Sequence, residues 1–274
     1  MIKWLKEKFY NITKRDKHKM STSRNMLQHS SNFEKDYIKK FDFYLDALDK
    51  IFTLQGSMGL EREQLSSLTD EDQKIFKSYL FLVESSNTTS IGALRLFMGN
   101  IYSDALALIR ILYEIACIMH YGNKSYENKL EVYESIFKSD VPANNHSKKE
   151  WNFTRKAQRL YESENPGLKE IKSFINNFGS HISRSKVVTG NITSQNDTSI
   201  SILFTPNYNK KEFLLGLDVL SGTMAMILEE FAIYNESCGG ISSEIMAEVK
   251  SIPDYLIKTI RPKLFSFMDG QDDS

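Results

Sequence analysis

The chain has 274 residues, enough for one large domain or two small ones. Hydrophobic residues make up 41% and charged residues 26%, the balance of an ordinary globular protein. Thirty-five basic residues cancel thirty-five acidic ones, so no global field draws the molecule to nucleic acid or membrane, and two cysteines make neither a disulfide framework nor a zinc site.

Few prolines and glycines for this length favour long uninterrupted helices, and a mostly α-helical bundle is expected. Residues 1–20 carry six Lys and one Arg against Glu7 and Asp16, a net of 7 − 2 = +5. Ile2, Leu5, Phe9 and Ile12 fall on one helical face with Trp4 beside it. Such a basic amphipathic segment suits an anionic membrane surface, entered through Trp4, Leu5 and Phe9. The alternative, and the commoner role of such a stripe, is docking on the protein's own body or on a partner. It has no apolar core of signal-peptide length, so export is not expected. Residues 21–31 read as a polar linker, 32–267 as a single helical domain and 268–274 as an acidic tail.

Within the body, apolar spacing predicts a helix over 32–54, with a loop or short helix over 55–67. A long helix follows over 70–98, opened by acidic residues that suit the helix dipole. The next helix runs over 102–121 and is stopped by Gly122 and Asn123. Further helices are expected over 124–138, 148–163 and 166–178, with a loop over 139–147. The helical pattern fails between 185 and 205, where two short strands at 187–189 and 200–204 predict a small hairpin. Helices resume over 207–235 and 242–260, the last kinked at Pro253.

The segment 102–121 is apolar nearly all round, the mark of a central bundle helix. Arg110 and Glu114 argue against a membrane span there. Ser103, Ala107, Arg110, Glu114 and Cys117 form its one polar stripe, with Arg110 and Glu114 paired at i, i+4. A pair inside a packed helix either fixes helix register or belongs to a polar pocket. Glu84, Asn87 and Ser90 of the preceding helix are candidate neighbours for that pocket, as is His181 at a later helix end. His120 is expected to act as a cation at a helix C-terminus. Cys117 is expected to be a small buried thiol. Arg155, Lys156 and Arg159, after Lys148 and Lys149, form a basic face, and Arg184 with Lys186 a second basic patch. No metal-ligand spacing, P-loop or dinucleotide fingerprint, or nucleophile elbow occurs, so neither a metal nor a cofactor is expected.

Asn100, Tyr102, Ala105, Leu108, Arg110 and Glu114 fit an Asn-x-aromatic-x-x-Ala-x-x-Leu-x-Arg-x-x-x-Glu helix. That helix resembles one in a bacterial all-helical family of unknown function. Gly179-Ser180-His181 and the return at Ile202-Leu203-Phe204-Thr205-Pro206 are similar to the family's layout. The family is distantly similar to HEPN-type proteins of toxin–antitoxin and abortive-infection systems, which cleave RNA without a metal through an Arg-x4–6-His motif. This chain departs from that motif, since the next histidine after Arg110 is His120. The resemblance implies a cytoplasmic effector or regulator of bacterial defence or stress, acting on RNA. If it is an enzyme, it is a metal-independent ribonuclease. His181 then serves as general base, Arg110 stabilises charge on the phosphorane, and Glu114 orients Arg110. The alternative is a non-enzymatic interaction module. It would engage a protein partner or a second copy, and would lie at the inner membrane surface through residues 1–20.

Overall fold

A computed structural model describes residues 40–58, 62–98, 102–137, 143–176, 192–195, 200–202 and 210–267. Residues 1–20, the linker, the tail, His181 and the Arg184/Lys186 patch lie outside the described residues. The chain forms α1 (Asp42–Ser57), α2 (Arg62–Ser67), α3 (Asp70–Met98), α4 (Tyr102–Gly122), α5 (Tyr126–Phe137), α6 (Ala143–Glu164) and α7 (Leu168–Ile175). Strands β1 (Ile192–Gln195) and β2 (Ile200–Ile202) follow, then α8 (Lys210–Ser237) and α9 (Ser243–Tyr255). A π-helical turn at Leu256–Ile260 leads into α10 (Arg261–Ser266). The fold is a multi-helix bundle with one small hairpin.

Local chemistry sets the helix ends. Thr69 opens α3: its hydroxyl accepts from the Asp72 amide at 3.1 Å and donates to the Asp72 carboxylate at 2.6 Å. Ser125 and Ser242 do the same for α5 and α9, accepting from the amides of Asn128 and Ile245. After α8, Gly239 takes φ +69°, a left-handed conformation that costs a glycine no Cβ clash.

Helix α4 is the hub, packed against α3, α5, α6, α7 and α8. Leu106, Ile109, Leu112, Ala116 and Met119 are fully enclosed. Each large aliphatic side chain so buried contributes about 1.5–3 kcal/mol. The span Asp104–Gly122 is long and apolar enough to cross a membrane, longer than the run read from sequence, and in this fold 67% of it is covered by other helices. One cluster of buried apolar side chains extends from Phe41 to Leu264. Its joints include Tyr79 stacked on Tyr234 at 3.9 Å, and the Tyr44 hydroxyl donating to the Leu217 carbonyl at 2.7 Å.

Several boundaries differ from expectation. α1 runs three residues beyond 54. α6 begins at Ala143 rather than at 148, so half of the expected loop is helical. Pro142 immediately precedes it, a place where a residue with no amide proton and a preset φ suits a helix start. The hairpin uses Ile192–Gln195 as its first strand, inside the stretch expected to be the turn. Its antiparallel register pairs Ile192 with Ile202 and Gln195 with Ile200, with an irregularity between Ile192 and Ser194. Residues 187–189, the expected first strand, lie outside the described residues. α9 passes through Pro253, and the register slips to π spacing three residues later, between Pro253 and Pro262. Each proline withholds one amide from the ladder, which is how the slip is accommodated.

Candidate functional site: a polar seam under a basic helix face

The face of α4 that meets α3 and α8 is apolar, but the face that meets α6 is polar. Four α4 side chains bond across it. The Tyr113 hydroxyl donates to Glu162 at 3.1 Å, and Glu162 also pairs with Lys172 of α7 at 2.7 Å. Gln158 donates to Glu114 at 3.4 Å. His120 meets Glu164 at 2.9 Å. Lys156 donates to the Tyr121 hydroxyl at 2.5 Å, and both bond Glu131 of α5. Among the described residues of α6, Ala157 and Tyr161 are buried apolar anchors, and Phe153 and Leu160 are partly buried against the same core. The helix is therefore seated on the bundle through hydrogen bonds and charges as well as these apolar contacts.

The strongest node of this seam is His120, in the last turn of α4. Its Nδ1 lies 2.7 Å from Glu230 of α8 and its Nε2 lies 2.9 Å from Glu164, the last residue of α6. A carboxylate can only accept, so a ring that bonds both carboxylates through both nitrogens does so as the imidazolium. Burial alone would favour the neutral ring, but the Glu230 hydrogen bond and charge, joined by Glu164, outweigh it and raise the pKa. The ring stacks on Tyr161 at 4.1 Å. Glu230 is 3% exposed and takes two further bonds from the Asn123 amide, at its carboxylate and its carbonyl. Tyr79 of α3 donates to Asn123 at 3.1 Å. Glu164 is more open and pairs with Lys124 at 2.5 Å. That hydrogen bond and the one from His120 pull its carboxyl below the usual range. With both nitrogens committed to carboxylates, His120 has no free site to exchange a proton with a substrate. The node is a clasp joining α4, α6 and α8.

The solvent side of α6 is basic, and it borders the seam at Lys156. Asn152, Arg155, Lys156 and Arg159 follow spacings of three, one and three, one side of a helix. They line an open depression of about 370 Å³. From Asn152 to Arg159 this face spans roughly 10 Å at 1.5 Å per residue.

Arg110 and Glu114 are bonded at 3.1 Å, as their spacing predicts. Their side chains are 31% and 26% exposed, so they lie at the rim of the seam and not in the core, where the stripe was expected. The polar middle of α3 does not join them. Ser86 and Ser90 bond back to the carbonyls of Val83 and Asn87, and Glu84 faces solvent. Cys117 is buried as expected, and burial pushes its thiol up to about 12. The clasp was missed from sequence, where His120 read as a dipole cation. Two signals pointed to it. Glu230 is in phase with the apolar Ile227 and Tyr234, so it had to be buried. Glu164 stands at a helix C-terminus, where the dipole disfavours an anion without a cationic partner. No family model matches this chain, and neither a curated protein nor a solved structure shows significant similarity to it.

Proposed function

We propose that this chain is a helical effector or regulator that acts on RNA, and that it engages the RNA backbone on the outer face of α6. The observation that carries this reading is the concave basic surface of Asn152, Arg155, Lys156 and Arg159. Cations held along one helix face match a run of phosphates, and an amide adds donor and acceptor capacity for a base or ribose. The chain as a whole is neutral, so attraction is local to this face. The Asn100-to-Glu114 pattern resembles an all-helical bacterial family of unknown function, itself distantly similar to HEPN-type proteins, and that resemblance is in keeping with an RNA-directed role. Arg110, at the rim of the seam and about one-third exposed with Glu114 bonded to its guanidinium, is the further cation this reading assigns to phosphate.

Fluorescence anisotropy of a labelled single-stranded RNA with the full chain tests the reading. Three phosphate contacts predict a log–log salt slope of about −2, at roughly 0.7 per neutralised phosphate. The Arg155→Glu/Arg159→Glu double variant is expected to lose binding. Equal binding by that variant, or none by the wild type, removes the proposal. Incubation with total RNA separates an enzyme from a binder: cleavage abolished by Arg110→Ala and His181→Ala supports a ribonuclease.

The second reading, a protein-interaction module, is favoured by a different surface. Phe81 of α3 and Phe137 of α5 are 49% and 46% exposed and meet edge-on at 5.7 Å, with Tyr133 alongside. Paired exposed aromatics suit an interface core. Light scattering of the wild type against Phe81→Ser/Phe137→Ser tests self-association through this patch.

A further inference from the structure

We infer that the C-terminal end of α6 is held by a proton-dependent clasp, so that protonation of His120 sets how firmly the basic helix is seated on the bundle. The argument starts from which bond each protonation state can keep. The imidazolium donates to two carboxylates at once, Glu230 at 2.7 Å and Glu164 at 2.9 Å. A neutral imidazole has one donor. Glu230 is 3% exposed, and leaving its carboxylate without that donor is costly. Glu164 has a side chain 38% exposed and keeps Lys124 as partner, so it can be released to water. Loss of the proton therefore retains the Nδ1 bond to Glu230. It turns the Nε2 lone pair toward the Glu164 carboxylate, a contact that repels. Glu164 is the last residue of α6, so the clasp opens at the end of the helix.

The surroundings leave His120 as the titrating partner near neutral pH. From α6 it faces Glu164 and Tyr161, and from α8 Glu230 with Glu229 beside it. Lys250 of α9 acts on Glu229. Lys124, just beyond α4, opposes the ring charge but is engaged with Glu164. Tyr79 of α3 reaches it only through Asn123. The α5 group Glu131 is occupied by Tyr121 and Lys156, and the α7 group Lys172 by Glu162. Leu160 and Tyr161 pack on the core one turn earlier, so what opens with the clasp is the last turn of α6. For regulation of the basic face the inference rests on the RNA reading above, whereas the clasp itself does not.

The test is hydrogen exchange of the full chain between pH 6 and 9, corrected for base-catalysed intrinsic rates, with the His120 imidazole followed by NMR. In the wild type, opening at residues 160–164 is expected to rise by up to about tenfold per pH unit, between the ordinary imidazole range and the raised folded pKa. Glu164→Gln is the decisive variant. A neutral amide accepts from the imidazolium or, turned over, donates to the neutral ring, so it keeps α6 seated and abolishes the pH slope. Glu170→Gln, an exposed change on α7, is expected to leave the slope unchanged. A flat wild-type profile across the His120 titration overturns the inference. So does a His120 that stays protonated to pH 9, or an unchanged slope in Glu164→Gln. If the chain binds no RNA, the functional proposal fails while the exchange profile still decides the clasp. If it binds, affinity is expected to fall with the same pH dependence and to lose it in Glu164→Gln.

Discussion

Two charged constellations on the same helix differ in what they are worth, and burial decides the difference. Arg110 and Glu114 form a helix-surface pair whose members are each about a third or a quarter exposed. Solvent screens such pairs, so Arg110→Ala is expected to cost no more than about 1 kcal/mol in urea unfolding. Glu230 is enclosed and balances the His120 cation, so Glu230→Ala strands a buried charge and is expected to cost about 3–5 kcal/mol. Equal effects of the two substitutions would contradict this ordering. The same residues predict the pH profile of stability. The His120 pKa is raised on folding, so its contribution is complete below the ordinary imidazole value of about 6.5 and is lost as pH rises through the folded value. The Glu164 pKa is lowered, so its contribution is present above the ordinary carboxylate value of about 4.3 and is lost as pH falls through the folded value. Thermal melts are expected to peak between those two limits. His120→Phe is expected to abolish the alkaline limb and to shrink the acid limb, where Lys124 alone then lowers Glu164.

At the scale of the element, the fit between helices is set by positions that periodicity does not single out. Gly216 of α8 lets the backbone approach Phe97 of α3 so closely that an added Cβ would lie 2.3 Å from the ring. Gly216→Ala is therefore expected to destabilise by about 1–3 kcal/mol, because Phe97 is fully enclosed and has no room to move aside. A neutral or stabilising result would mean that the α3–α8 contact is looser than described. The long helices α3, α4 and α8 are readable from sequence, since each repeats its apolar stripe over many turns. The start of α6 is not, because 143–147 is polar and its helicity follows from Pro142 and the helix it joins. The first strand of the hairpin is likewise hidden, because both Val187-Val188 and Ile192-Thr193 have strand propensity and only pairing with Ile200–Ile202 chooses between them. The π turn after Pro253 is a third case: it packs on α1, a contact that no pattern within its own five residues shows.

At the scale of the whole molecule, α4 at the centre and α6 at the edge predict a gradient of local stability. Native-state hydrogen exchange is expected to be slowest in the enclosed turns of α4, around Ile109 to Met119, and in the facing turns of α8. It is expected to be much faster in α6, whose seat is polar. Uniform protection across α4 and α6 would contradict that gradient. The sequence by itself determined the mostly helical class, the position and burial of the central helix, the Arg110–Glu114 bond and the buried Cys117. All of these follow from apolar periodicity or from spacings within one helix, which are local quantities. Only the tertiary structure decided that Arg110 sits at a rim, and that His120 gathers Glu164 and Glu230 from 44 and 110 residues away. Only it decided that α6 turns a basic concavity outward while resting on a polar seam. The physical reason is that a charge pair depends on separation and on the water left around it. Both are fixed when distant helices pack, and no pattern within a single helix contains them.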